Sequence, residues 1–291
     1  MNPALLLLAD SRLPAGGHAH SGGTEQAITS GAVSDVPSLA RFLRGRLHTT
    51  GALAATLTAA AHTQATTPAP QPLSSASTTT GAEADAEVGQ VAAGSPWVLL
   101  DAEVDARTAA PAQRDASRTQ GRLLLRVARR VWPSPVLDEL ARAVPSPHHP
   151  IALGAVAYAA GATAEEAAMA AAYHAISGPA TAAVRLLGLD PVAVHGLLAD
   201  LTPDLTAIAT EAHLAVTNAR STAHQDVTDA DSTVHPTVTD ADSTVHPGST
   251  RQTPDPADPL PWLAALPAYS SPALDLLAEQ HARAEVRLFV S

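Results

Sequence analysis

The sequence contains no cysteine among its 291 residues. This absence excludes disulfide bonds, zinc sites built from thiolates and a thiol nucleophile. Lysine is also absent, so all 17 basic residues are arginine. A P-loop needs a lysine to reach the nucleotide phosphates, and Schiff-base chemistry needs a lysine amine. The composition therefore argues against a nucleotide hydrolase, and it indicates no cofactor.

Aromatic residues are scarce, at 3%, although hydrophobic residues make up 46% of the chain and many of them are alanine. Alanine loses no side-chain entropy in a helix and lets helix backbones approach closely. Strands would instead need alternating runs of valine, isoleucine, threonine and aromatic residues, which are nearly missing here. The composition predicts an all-α fold, a single-domain multi-helix bundle over 1–291.

Positive charge is also in deficit, because the formal net charge is −11. Non-specific nucleic-acid binding depends on neutralising phosphates, so we expect no nucleic-acid partner. The apolar run Leu5–Ala9 follows no positively charged segment and ends at Asp10, and Pro150–Ala164 is shorter than the ~20 residues that a membrane span needs. These features predict no membrane association and a cytoplasmic protein.

Two segments resemble insertions rather than parts of the core. Residues 64–96 and 221–259 are rich in small and polar residues, and such segments bury too little apolar surface to offset their ordering entropy. The second contains a tandem repeat, Val227–Pro236 followed by Val238–Pro247, and two copies are too few for a solenoid. We predict two disordered low-complexity loops.

Local signals mark several helix boundaries. Asp35 precedes Pro37, and Thr163 with Glu166 forms a capping box. Gly178-Pro179 is expected to break or kink the helix that follows this box. The last helices are predicted over 204–218 and 271–288.

The first motif runs from Leu5 to Ala27. Its sequence predicts a short helix ending at Asp10, a loop with paired glycines, and a second helix near Thr24, with Ser21 as a candidate cap. The absence of a preceding strand and of Gly-x-Gly-x-x-Gly argues against a dinucleotide site. The candidate site residues of this motif loop are Asp10, Pro14, Gly16, Gly17, His20, Ser21, Gly22 and Glu25.

Histidines raise two alternatives. His18 and His20 have the His-x-His spacing of some metallohydrolases, but that motif belongs on a barrel strand and this one lies in a Pro/Gly loop. His148 and His149, or the repeat histidines, could instead bind a metal ion directly. Structural histidines are more common than ligands in such settings, so we assign neither a catalytic residue nor a metal site.

Two further segments are candidates for partner binding. The second motif, 113–125, places Arg118 and Arg122 one helical turn apart, where they could clamp a carboxylate on a partner or within the fold. The third motif is the C-terminus, where large apolar side chains are either docked on the core or kept for a partner. Its candidate residues are Arg287, Leu288, Phe289 and Ser291.

The three motifs together resemble the UreF family. The opening segment matches Leu-Leu-x-Leu-Ala-Asp-Ser-x-Leu-Pro-x-Gly-Gly-x-x-His-Ser-Gly-Gly-x-Glu, the middle one matches Arg-x-x-Ser-x-x-Gln-Gly-Arg, and the chain ends in Arg-Leu-Phe-x-Ser. His18 departs from the pattern, since relatives often carry an aromatic residue there. The resemblance covers nearly everything except the two insertions.

The resemblance implies a fold and a role. The fold would be an all-helical homodimer. The role would be a non-catalytic scaffold that joins UreD (also called UreH) and the GTPase UreG, and whose complex delivers nickel to apo-urease. These partners and this task are expectations from the family, since no pattern in the residues themselves identifies them.

Overall fold

A computed structural model of the chain describes residues 2–10, 13, 20–67, 95–232, 260–284 and 288–289. Within 95–232, side chains are described only as far as residue 225. The described residues contain helices and no strand, which confirms the all-α prediction. The helices are α1 (Ala4–Ala9), α2 (Thr24–Thr29), α3 (Val36–Arg46), a π-helix (Leu47–Gly51), α4 (Ala52–Ala65), α5 (Pro96–Arg107), α6 (Pro111–Val131), α7 (Pro135–Ala143), α8 (His149–Ala159), α9 (Ala164–Leu187), α10 (Pro191–Asp200), α11 (Thr202–Ser232), a 3₁₀-helix (Pro261–Ala265) and α12 (Pro272–Arg283).

Two short apolar helices, α4 and α8, form the centre of the fold and pack along each other. Nearly every residue of both is buried, and most are alanine or another small residue. Small side chains let helix backbones approach closely, so α9 and α11 cross α4 while α6 packs on α8. The alanine-rich composition is thus used at the places where helices are most tightly surrounded.

The helix caps follow the local signals. Asp35 accepts a hydrogen bond from the backbone of Ser38 in a capping box, and Thr163 forms one with Glu166. Gly178-Pro179 does not break α9, which continues from Ala164 to Leu187. The last predicted helix ends early, because α12 stops at Arg283 and Leu288 lies in a bend beyond it.

The two predicted disordered loops lie largely outside the described residues. Of 64–96, the described ends belong to α4 and α5 or adjoin them. The predicted 204–218 helix is longer than expected, because α11 runs to Ser232 and enters the 221–259 segment. The repeat from residue 233 onward lies outside the described part of the chain.

Within the described part of the chain, no single helix is both long and apolar enough to cross a bilayer. The bent pair formed by α10 and residues 202–225 of α11 is together long and apolar enough to cross a bilayer, but this rests on length and composition only.

Candidate functional site

The three sequence motifs, far apart along the chain, line one cavity of about 1000 Å³. The cavity lies between the start of the chain, the junction of α3 and α4, and helices α6, α9 and α12. The fold therefore gathers at one place the segments that the sequence singled out. Residues from all three motifs are in its lining, among them Asp10, His20, Gly22, Ser117, Gln120 and Phe289.

The first motif has the predicted helix–loop–helix form. Asp10 is the C-cap of α1, and α2 begins at Thr24. The prediction that Ser21 caps α2 was wrong: the N-cap is Gly23, at φ 86°, and Ser21 instead accepts a hydrogen bond from the Thr24 backbone through its carbonyl. His20 and Ser21 are buried. The other predicted loop residues, Pro14, Gly16 and Gly17, lie outside the described residues.

The C-terminal motif docks on the first motif through Glu25. The Glu25 carboxylate accepts hydrogen bonds from the backbone N–H groups of Leu288, at 2.8 Å, and Phe289, at 3.1 Å. The buried ring of His281 on α12 lies 3.7 Å from the same carboxylate and 3.2 Å from the Phe289 carbonyl oxygen. The described part of the tail is therefore held by its main chain. Two other predicted contact residues, Arg287 and Ser291, lie outside the described residues.

The second motif lies on α6 and packs against the start of α8. The Ser117 hydroxyl accepts a hydrogen bond from the backbone of His149. Gly121 is buried so tightly that a Cβ there would lie 2.1 Å from the Pro147 carbonyl oxygen. A close backbone approach of this kind requires glycine. The motif thus fixes where α8 begins.

Arg118 belongs to an internal ion network rather than to an open surface. Its guanidinium donates to Asp101 at 2.8 Å, to Asp105 at 2.5 Å and to the Ser146 carbonyl at 2.9 Å. The backbone N–H of His148 donates to the other oxygen of Asp101 at 2.7 Å. The network ties α5, α6 and the turn before α8 together, so Arg118 acts within the fold.

Burial and charge set the protonation of this network. Burial lowers the pKa of the His148 ring, which is fully enclosed, so the ring is neutral and its Nε2–H donates to Asp105 at 2.9 Å. Partial burial acts to raise the pKa of Asp105, but hydrogen bonds from His148 and Arg118 hold it below its usual value. Both interactions favour the ionised carboxylate.

The same network contains the one group among the described residues with metal-ligand spacing. One ligand atom each from Asp101, Asp105 and His148 lie within 4.8 Å of one another. However, Arg118 already pairs with both carboxylates, and a divalent cation would have to displace its partly buried guanidinium. These residues therefore fit a structural ion network better than a nickel site.

Arg122 occupies a different environment from Arg118, although they are one turn apart. It is exposed on α6 and forms no ion pair with any residue that the structure describes. The sequence placed both arginines in one clamp, whereas the fold turns one inward and leaves the other on the surface.

Four histidines border the cavity: His20, His149, His174 and, at its exposed side, His195. The rings of His149 and His174 are 5.6 Å apart, and His174 Nε2 contacts the Leu8 carbonyl oxygen at 3.0 Å. Burial lowers the pKa of His149 to about 3, with further lowering by His174 and His20, and burial lowers the pKa of His174 as well. The rings of His149 and His174 are therefore neutral near pH 7. His18 lies outside the described residues.

Neutral buried histidines make stability fall in acid. An unfolded histidine has a pKa near 6.5, so below that pH the unfolded state takes up protons that folded His149 does not. Stability is then lost as the pH falls from about 6.5 towards the folded value, by up to about 1.4 kcal/mol per pH unit for each such ring. Between about pH 6.5 and pH 5, His149→Gln should lose about 2 kcal/mol less than the wild type.

The measurement is urea unfolding at about pH 7.5, 6 and 5, with the pH dependence compared between proteins. His195→Gln, which removes an exposed ring hydrogen-bonded to the Pro191 carbonyl, controls for the substitution itself. Equal pH dependence in the wild type and His149→Gln would contradict the assignment.

Sequence reasoning missed two arginines that the fold uses. Arg107 bonds Glu103 one turn back, and it also donates to the carbonyls of Leu263, Leu266 and Pro267. It thereby anchors the segment that re-enters the fold after the second insertion. The second, Arg46, lines the cavity and is buried. Only the i,i+4 spacing of Glu103 and Arg107 was visible in the sequence.

Comparison with known proteins identifies the family to which this fold and site belong. The family model described as UreF matches residues 33–202. The chain belongs to the UreF family. The match spans the structural core from α3 to α10, and it includes the UreF segment that holds the ion network around Arg118.

Individual UreF relatives extend the comparison. The chain is 46% identical over 210 residues to a protein of Mycobacterium sp. (strain JLS) named urease accessory protein UreF, covering 71% of this chain and 84% of the relative. Relatives of the same name from Mycolicibacterium vanbaalenii and Mycobacterium tuberculosis (strain ATCC 25618 / H37Rv) are 42% and 40% identical over 208 residues, covering 72% of this chain and 84% and 83% of their own length. UreF proteins are named as accessory proteins, and this chain is correspondingly not an enzyme.

Proposed function

We propose that this chain is a non-catalytic scaffold in urease maturation. In this proposal it assembles with UreD (UreH) and the GTPase UreG in the cytoplasm, and the complex delivers nickel to apo-urease. Family membership and the names of the relatives support the link to urease. A homodimer of this chain at the centre of the complex is part of the same proposal.

The observation that carries the scaffold proposal is the way in which the C-terminus is held. Because Glu25 binds the backbone of Leu288 and Phe289, the Leu288 side chain remains 75% exposed. Leu276 on the adjoining helix α12 is 63% exposed. We call these two leucines the C-terminal surface. Ordered, exposed leucines of this kind suit a protein interface, where apolar anchors carry much of the binding energy.

We assign the C-terminal surface to UreD. Contact with UreD then recruits UreG, and exposed Arg122 on α6 is a candidate for a charged contact with the GTPase. A guanidinium on an open helix face can form two parallel hydrogen bonds with a partner carboxylate. Arg118 is not part of this assignment, because its donors are engaged inside the fold.

The test is co-expression with cognate UreD and UreG, purification on one tag, and sizing by light scattering. Leu288→Ser should weaken recovery of UreD at least about tenfold, as expected for truncating an interface anchor worth about 1.4 kcal/mol or more. Val192→Ser is a matched control, because Val192 on α10 is equally exposed, at 76%. The Val192→Ser variant should recover as much UreD as the wild type does.

Circular dichroism of both variants should retain the wild-type helicity. If the unmodified chain purified alone under moderate salt, the scaffold proposal would fail. If Leu288→Ser and Val192→Ser both bound UreD normally, the complex would stand and the assigned surface would be wrong.

A further inference from the structure

Arg46 is a partly buried cation at the wall of the cavity. It is the last residue of α3, directly before the π-helix Leu47–Gly51. Its guanidinium is largely removed from water, and the side chain lines the cavity. Nε donates to the Ala175 carbonyl at 2.7 Å, and Nη1 donates to the Gly22 carbonyl at 2.8 Å. Arg46 thus joins α3 to the first motif and to α9.

A proline explains why Arg46 reaches α9. In a regular helix the Ala175 carbonyl would accept the N–H of the residue four positions later, which here is Pro179 and has none. Arg46 Nε supplies the missing donor. Gly22 contributes by lacking a side chain, since a Cβ there would lie 3.0 Å from the Arg46 Cζ and Nη2 atoms. Two separate features of the sequence therefore position this guanidinium.

The guanidinium is only partly satisfied by these contacts. A guanidinium has five N–H donors, and the two hydrogen bonds to carbonyls use two of them. No carboxylate among the described residues forms an ion pair with Arg46, and burial alone lowers its pKa to about 10. Buried charges in proteins are normally paired, because an uncompensated charge is costly. Among the described residues Arg46 has no ion-pair partner, although the carboxylates of Asp10 and Asp275 line other parts of the same cavity.

The surroundings decide which kind of ligand fits this charge. The neutral rings of His149 and His174 border the same cavity together with the ring of His20, and imidazoles alone would suit a metal cation. The fixed positive charge of Arg46 opposes a cation and attracts an anion. The free Nη1 and Nη2 hydrogens form the planar edge that binds the two oxygens of a carboxylate.

We propose that the cavity binds a small free carboxylate, whose oxygens pair with the Nη1–Nη2 edge of Arg46. The single negative charge of the ligand balances the single charge of the guanidinium. This binding site is additional to the scaffold role and does not depend on UreD or UreG.

The first experiment probes the unmodified full chain with acetate. Phenylglyoxal, which modifies arginines, is applied at constant ionic strength in chloride or acetate, and each arginine is followed by peptide mass mapping. Acetate at ten times its dissociation constant should slow modification of Arg46 about tenfold, by mass action. Arg44, which is exposed and paired with Asp204, should react equally in both salts.

The outcomes separate the possibilities. Equal modification of Arg46 in acetate and chloride would overturn the proposal, as would protection by phosphate without protection by acetate. Because this experiment needs no variant, it stays informative even if changes at Arg46 disturb folding.

The second experiment uses a matched pair of variants. Replacing chloride with acetate should raise the melting temperature of the wild type and of Arg44→Gln, because a ligand that binds only the folded state stabilises it. Arg46→Gln should lose the acetate response. If Arg46→Gln folds and keeps the full response, the carboxylate binds elsewhere and the assignment to Arg46 is wrong.

Discussion

Replacing Gly121 with alanine is expected to destabilise the protein by at least about 3 kcal/mol. The new Cβ would meet the Pro147 carbonyl oxygen at 2.1 Å and the His149 backbone nitrogen at 2.8 Å. Both atoms belong to the backbone, so no side chain can rotate away. The helix-propensity gain of alanine over glycine, about 1 kcal/mol, is too small to offset this clash. Urea unfolding monitored by circular dichroism measures the difference.

Gly45→Ala provides the control for this measurement. Gly45 lies on α3, and a Cβ there meets no atom within 4 Å. The same substitution should therefore stabilise the protein by about 0.5–1 kcal/mol through propensity and reduced unfolded-state entropy. If both variants changed stability in the same direction, the close packing of α6 on the α8 turn would not be the cause.

Replacing Arg118 with methionine should cost about 1–3 kcal/mol, the range for leaving a buried polar group without its partner, because Asp101 is buried while Arg118 and Asp105 are partly exposed. Methionine keeps much of the side-chain volume but leaves buried Asp101 without its cation. Asp105, the other carboxylate bound by Arg118, would also lose its ion pair with this guanidinium. The free energy of unfolding of the isolated chain is the quantity to measure, since partner binding cannot contribute to it.

Arg126→Met is the matched control, because Arg126 is exposed on the same helix. Its stability should remain within about 0.5 kcal/mol of the wild type. Asp101→Asn in the Arg118→Met background should recover part of the loss, since asparagine still accepts the His148 N–H without a buried charge. An Arg118→Met chain that kept its stability but lost its partners would restore the sequence-based assignment of Arg118 to an interface.

Much of the fold could be predicted because its determinants are local. The capping boxes at Asp35 and Thr163 involve residues three positions apart, and the turn of the first motif depends on its own glycines. Alanine content predicted helices packed closely enough to bury α4 almost completely. These features depend on spacing and composition, both of which can be read directly from a sequence.

The site was less predictable, because its contacts join distant segments. The Arg46 contact with Ala175 spans 129 positions, and nothing near either residue indicates the other. The sequence predicted a break or a kink at Gly178-Pro179, and the helix is unbroken there because a distant arginine satisfies the carbonyl that the proline leaves free. Arg118 and Arg122 have equivalent local surroundings, and only the position of α5 distinguishes the partly buried one from the exposed one.

The attachment of residues 288 and 289 to Glu25 depends on their main chain and not on their side chains. The Glu25 carboxylate binds peptide N–H groups, so it fixes the path of the main chain whatever side chains residues 288 and 289 carry. Substitutions at Leu288 should therefore leave the main chain in place while changing the exposed side chain. Under the proposed assignment to UreD, these two residues would meet their partner with the main chain already fixed, so less ordering entropy would oppose binding.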